Sequence, residues 1–250
     1  MGIYATVLSI GFALGPAVLS VTGTKGLAPF LAGSAIIAVG ALPVAIARAP
    51  AISCRSQAGF LRFLFVAPAA TSAALAFGFA ESGSFALLPI YGERNGHPIG
   101  GVVLFAAAMT LGNVLFQLPF GFFSDRVDRR KLLLGIAALG LIGAALLPLV
   151  SGSLAGTIAL LFFWGGSIGA LYTVGLAHLA QRFTGADLAA ANSAFVFCYA
   201  SGSLVGPAAL GLGMEAYDPH GFAVVLCLCF LAYLVLVAFR VGRGKDPALP

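Results

Sequence analysis

Glu81 is a carboxylate in an expensive place. It lies well inside an apolar run, where burying its charge in a bilayer core costs at least about 2.5 kcal/mol on insertion scales. It must be neutral, paired or wet, which suits either a proton carrier or a counter-ion for a cationic substrate. The competing reading ends its helix sooner and lets the side chain snorkel to the surface. Asn113 and Gln117, four apart, share a helix face suited to hydrogen-bonding a substrate or a neighbouring helix. Tyr172 and Tyr199, with Tyr91 and Trp164, are candidates to line a pocket, although these residue types also anchor helices at membrane interfaces. His178 reads as an interfacial histidine in preference to a proton relay, and Asn192 as a helix cap.

The elements that position these groups are membrane helices. The 250 residues are 60% apolar and 8% charged, with a mean hydropathy of +1.05, against roughly 25% charged in soluble domains. Apolar runs bounded by Gly, Pro and charge predict eight helices, at about 3–22, 27–47, 60–91, 99–120, 132–150, 155–180, 190–213 and 221–240. The third is long for one perpendicular span, and Gly83 and Pro89 predict a tilt or break toward its outer end.

Charge sets the topology. Six of the eleven residues from Gly121 to Lys131 are ionisable, between two spans, so this hairpin loop should face the cytoplasm. Eleven of the 13 lysines and arginines then fall on that side, with Lys25 and Arg94 opposite and both termini cytoplasmic. The net charge of +5 is accounted for by these topology signals, without nucleic-acid binding. Helices 27–47, 132–150 and 221–240 carry almost no strong hydrogen-bonding side chains and suit lipid. Those at 60–91, 99–120, 155–180 and 190–213 carry nearly all of them and must face a cavity or one another.

A repeat relates the ends of the chain. Gly11 to Ala17 (GFALGPA) aligns with Gly202 to Ala208 (GSLVGPA), so the first two helices resemble the last two. The last six helices form one complete unit, preceded by the tail of another copy. The loop with Gly121, Asp125, Arg126, Arg129 and Arg130 resembles the signature of the major facilitator superfamily, although Asp128 stands where that signature usually has Gly. The first helix is similar to an antiporter signature through Gly2, Gly11, Gly15 and Pro16, without its closing Gly pair.

The resemblance implies an all-α polytopic bundle corresponding to the fifth through twelfth helices of a twelve-helix permease. Its parts would be residues 1–48 from the first half, a cytoplasmic linker at 49–59, a complete six-helix half at 60–240 and a cytoplasmic tail at 241–250. Met1 is then expected to be an internal methionine. The resemblance also implies secondary transport of a small molecule by alternating access, proton-coupled, with efflux slightly favoured, in a bacterial inner membrane. A truncated, non-transporting membrane fragment is the alternative. Asp125 would meet the N-terminal end of the helix starting near Ile3, with the loop arginines bracing the contact.

Other classes lack a motif. There is no GxxxxGK[ST] loop for ATP, no HExxH for a metal-dependent enzyme, and no zinc spacing among Cys54, Cys198, Cys227 and Cys229. No cofactor or metal is expected. The implied partners are the lipid bilayer, a small-molecule substrate and protons.

Overall fold

The protein was analysed as a computed structural model that describes residues 11, 18, 21–22, 26–46 and 59–242. Among these, regular structure is helical: α1 (Ala28–Ile46), α2 (Arg62–Val66), α3 (Pro68–Arg94), α4 (Ile99–Ser124), α5 (Arg129–Val150), α6 (Leu154–Arg182), α7 (Gly185–Ala216) and α8 (Gly221–Gly242). Helices α3 to α8 are long and apolar enough to cross a membrane, which makes this a multi-pass membrane protein. The expected helix at 3–22 lies outside the described residues apart from its residues 11, 18, 21 and 22, which are helical. Gly2, Gly15, Pro16, Cys54, most of the linker and the tail from 243 also lie outside them.

Two expectations are corrected by the backbone. The 60–91 segment breaks at the end opposite to Gly83 and Pro89: α2 stops at Val66, Ala67 takes φ −125° and ψ 53°, and Pro68 opens α3. Proline at the first helical position needs no N–H acceptor, and its ring pushes the preceding residue out of the α region. Through Gly83 and Pro89 the helix continues to Arg94. Asn192 is not a cap either. Thr184 occupies that position, Asp187 lies in the first turn beside the positive helix end, and Asn192 is exposed in the helix body.

The α3–α4 turn is closed by backbone chemistry. His97 N–H donates to Gly92 C=O and Gly96 N–H to Glu93 C=O, a Schellman arrangement that satisfies the last carbonyls of α3. Gly96 sits at φ +82°, where a side chain would be strained. Asp128 and Ser153 cap α5 and α6, accepting from Arg130 N–H at 2.8 Å and Gly156 N–H at 3.2 Å.

The spans pack in a pattern of two three-helix repeats. Helix α3 runs along α7 and α4 along α6, while α5 meets both α6 and α8. Exchanging the triplets α3–α5 and α6–α8 maps the first pair onto the second. Both crossings bring backbones together through glycine. A methyl at Gly202 or Gly206 would meet the carbonyls of Leu75 or Phe79, and one at Gly112 the carbonyl of Phe162.

The apolar helices α5 and α8 behave as their composition implies. They bury Ile136, Gly140, Leu226 and Phe230, and expose Leu139, Ile142, Leu228 and Val235 in the direction of lipid. Trp164 of α6 closes this core, 4% exposed, with its indole N–H donating to Gly140 C=O at 2.9 Å and its ring edge-on to Phe230. It is a packing residue, not a pocket wall. Tyr91 is likewise 1% exposed, packed against Phe222 and 3.4 Å from His220 Nδ1.

Candidate functional site

Helix geometry puts Glu81 at the centre of α3, thirteen residues from either end. At 1.5 Å per residue that is roughly 20 Å of helix on each side, beyond the reach of a snorkelling side chain. The reading that placed Glu81 at a membrane surface is therefore corrected. Its partner is Tyr199 of α7, whose hydroxyl donates to Glu81 Oε2 at 2.8 Å. A charge-assisted bond of this kind holds a carboxylate without neutralising it.

The close α3–α7 crossing produces that bond. Gly78, one turn before Glu81, faces the backbone carbonyl of Tyr199 and Ser203 Oγ, with no room for a methyl. One turn further along, Ser82 Oγ donates to Ser203 C=O at 3.0 Å and fixes the register. Tyr172 of α6 joins from the third side, edge-on to Tyr199 at 5.6 Å between ring centroids. Phe77 stacks with Tyr199 at 6.0 Å and lies 5.9 Å from Tyr172, and Phe195 meets Tyr172 edge-on at 5.1 Å. The result is one carboxylate beside two half-buried phenols over a buried aromatic floor.

Among the described residues no ion pair reaches Glu81. The arginines and lysine of α3 to α6 stand in their first or last turns: Arg94, Arg129, Arg130, Lys131 and Arg182. Asn113 and Gln117 form a second polar group, on α4. Gln117 Nε2 donates to Asn113 Oδ1 at 2.9 Å, and the Asn113 amide lies against Gly169 of α6. Three residues along α6 from Gly169 is Tyr172, so both polar groups meet the same helix.

The charged loop builds a third site at the basic end of the bundle. Arg129, only 10% exposed in its side chain, bonds Ala177 C=O of α6 at 2.7 Å, Ser124 C=O of α4 at 3.1 Å and Asp125 Oδ1 at 2.8 Å. One guanidinium thus closes the last turn of α4, opens α5 and clamps both to α6. Asp125 is 70% exposed in its side chain, and Arg126 is exposed. Of the loop arginines, Arg129 is the one buried across the three helices; Arg130 is half-buried in the first turn of α5. Gly121, buried, and Ser124 line a cavity of about 410 Å³ with Asp125, Arg129, Thr173 and Gln181. His178, four residues before the end of α6, is buried at 6% exposure.

The residues 70–250 match the model of the Major Facilitator Superfamily. The chain belongs to that superfamily. It is 25% identical over 259 residues to the uncharacterized MFS-type transporter YfkF of Bacillus subtilis (strain 168), covering 98% of this chain and 64% of that protein. It is 26% identical over 163 residues to the MFS-type transporter Ent638_1421 of Enterobacter sp. (strain 638), and 24% identical over 163 residues to YcaD of Salmonella typhi. Each of these two alignments covers 65% of this chain and 42% of the relative. The chain thus spans between two fifths and two thirds of the length of these curated relatives. Members of the superfamily are transporters rather than enzymes.

Within the superfamily frame, the sequence singles out Glu81, Tyr172 and Tyr199, and the bundle brings these three together. Phe77 and Phe195 were not singled out. A helical-period search would have found them, because each precedes a site residue by four, Glu81 and Tyr199 respectively. The Asp128 departure from the loop signature also has a local cause: at φ −60° the position needs no glycine, and the carboxylate serves as the α5 cap.

Proposed function

We propose that this chain is the substrate-translocating part of a secondary transporter that moves a small molecule by alternating access, coupled to protons, with efflux as the direction. Glu81 is the coupling group. The observation that carries this is a mid-span carboxylate held by a phenol at 2.8 Å with no cation beside it among the described residues. Such a group gains from taking up a proton whenever water and substrate leave the site. Asn113 and Gln117 supply hydrogen bonds to the polar part of the substrate, and Tyr172 and Tyr199 its apolar walls. The Gly121–Lys131 loop faces the cytoplasm of a bacterial inner membrane, with residues 60–240 as one six-helix half and 49–59 as the linker to the other. Gly2, Gly11, Gly15 and Pro16 belong to a helix of that other half. Asp125 is the exposed acceptor that meets a helix N-terminus of that half in the inward-closed state.

The test is dissipation of a pH gradient in everted membrane vesicles by a panel of cationic, neutral and anionic small molecules. At least one compound is expected to collapse the gradient with the wild-type chain and not with Glu81→Gln. Equal response of the two proteins refutes the role of Glu81. A second reading, a membrane part that does not transport on its own, is favoured by the exposed polar face of α7 at Asn192 and Ser193. It predicts that no compound in the panel collapses the gradient.

A further inference from the structure

We infer that the cavity beneath the charged loop is a hydrated inlet, a short chain of water that enters between Asp125 and Gln181 and ends at Thr173, level with the Asn113–Gln117 pair. It runs between α4 and α6 of the same six-helix unit. The register of these two helices comes from their close approaches. A methyl at Gly165 would meet Met109, and one at Gly169 the Asn113 amide. The helices are therefore parallel and in step. Continuing by four residues along one face of each, the next levels are Gln117 with Thr173, Gly121 with Ala177, and Asp125 with Gln181.

The cavity of about 410 Å³ follows that ladder: Gly121, Asp125, Thr173, Ala177 and Gln181 all line it, with Leu118 and Phe122 as apolar walls. Glycine opposite alanine leaves the space between the helices unfilled. The mouth is wet, since the Asp125 side chain is 70% exposed and Gln181 is exposed. At the inner end Thr173 is 1% exposed, and its Oγ1 has no hydrogen-bond partner within the protein. Other hydroxyls of these helices donate to the carbonyl four residues back: Thr110 to Ala106 at 2.8 Å, Thr157 to Ser153 at 2.9 Å and Ser167 to Phe163 at 2.8 Å. Thr173 makes no such bond. A buried hydroxyl without a partner is costly, and water from the adjoining cavity removes that cost.

Water fits this site better than an ion does. The Arg129 charge already faces Asp125 at 2.8 Å, and its other bonds go to Ser124 and Ala177 carbonyls. A chain of water finds partners along its whole length: the Asp125 carboxylate, the Gln181 amide, the Thr173 hydroxyl, and Ser124 Oγ, which donates to Gly121 C=O at 2.8 Å and can still accept. The volume exceeds many times the roughly 30 Å³ that one water occupies in the liquid. The use of the inlet rests on the transport reading above: when a substrate leaves Asn113 and Gln117, water arriving by this route takes over its hydrogen bonds.

The experiment is thiol labelling of Thr173→Cys in the full chain, in everted membrane vesicles, with a membrane-impermeant methanethiosulfonate that carries a sulfonate. Peptide mass spectrometry reads the position apart from the native cysteines. Val174→Cys, at a fully buried neighbour, is the control. Thr173→Cys is expected to label about tenfold or more faster than the control, because thiols buried in apolar surroundings stay unreactive. Ala180→Phe, which fills the cavity from its lining, should slow that labelling several-fold. Thr173→Val separates a wet hydroxyl from a dry one by the sign of its effect. Removing a hydroxyl bonded to water should lower the thermal midpoint by a few degrees, whereas removing an unpaired one raises it or leaves it unchanged. If Thr173→Cys is not recovered in the membrane, the sign for Thr173→Val decides. Labelling at the control rate, labelling indifferent to Ala180→Phe, or a midpoint that does not fall in Thr173→Val overturns the inference. Glu81 takes no part in the labelling, so the gradient-collapse assay bears on the transport reading alone and the labelling on the inlet alone.

Discussion

Replacing Arg129 by alanine tests whether the charged loop is a structural clamp as well as a topology signal. The guanidinium makes two bonds to backbone carbonyls, Ala177 at 2.7 Å and Ser124 at 3.1 Å, and an ion pair to Asp125. A hydrogen bond from a charged donor contributes about 1.5 kcal/mol or more. Ser124 C=O lies in the final turn of α4, where no further helical N–H reaches it, so its loss leaves an end carbonyl unsatisfied. The ion pair contributes less than about 1 kcal/mol, because the Asp125 side chain is 70% exposed. Arg129→Ala should therefore cost about 3 kcal/mol, and Asp125→Asn less than about 1 kcal/mol.

Thermal unfolding of the detergent-solubilised chain reads this directly, because its single tryptophan, Trp164, is buried in α6, the helix that Arg129 grips. On the scale of roughly 2–4 °C per kcal/mol for a chain of this size, Arg129→Ala should lower the midpoint by about 6–12 °C. Lysine at 129 should fall between, since an ammonium on a flexible stem does not span three acceptors as a planar fork does. Equal midpoints for Arg129→Ala and Asp125→Asn would refute the clamp.

Two other substitutions separate kinds of packing. Trp164→Phe removes the buried indole N–H from Gly140 C=O and reduces the ring against Phe230; a loss of about 1–3 kcal/mol is expected in denaturant titration. Gly202→Ala places a methyl against Leu75 C=O at the α3–α7 crossing, so the helices must part; about 1–3 kcal/mol should be lost in the same titration, and the Tyr199–Glu81 hydrogen bond, about one turn away along α7, should loosen. Retained stability would show that the crossing tolerates separation.

The helices were legible because lipid leaves the backbone no other choice: a span of apolar residues must satisfy its own hydrogen bonds. The division into polar and apolar helices also carried over, since Leu139, Ile142, Leu228 and Val235 face outward while Glu81, Tyr172 and Tyr199 converge. Helix ends were less legible. Asp128 and Thr184 set the starts of α5 and α7 from outside the apolar runs, so hydropathy alone placed those starts late. The α2–α3 break was misplaced because Gly83 and Pro89 look like breakers in isolation. In the bundle, Gly83 lies against Leu210 and Gly206 of α7, and the helix continues through both residues to Arg94. Trp164 and Tyr91 were ambiguous for a different reason: an aromatic with a polar tip suits a pocket, an interface or a core, and only the acceptor decides. Gly140 C=O decides it for Trp164, and burial against Phe222 for Tyr91.

The small residues and the carboxylate belong to one argument. Glu81 meets Tyr199 at 2.8 Å only because α3 and α7 approach closely enough to exclude a side chain at Gly78, Gly202 and Gly206. A hydrogen bond of this type weakens once its heavy atoms part beyond about 3.2 Å, so a separation of a few tenths of an ångström between the helices is felt at the carboxylate. A rocking motion that shears this crossing would alter what Glu81 is bonded to without any residue in its immediate shell changing identity. The glycines are thus the mechanical side of the site and Glu81 its chemical side. In a membrane, where apolar burial gives helices little reason to associate, such a crossing couples the position of a helix to the charge state of a group within it.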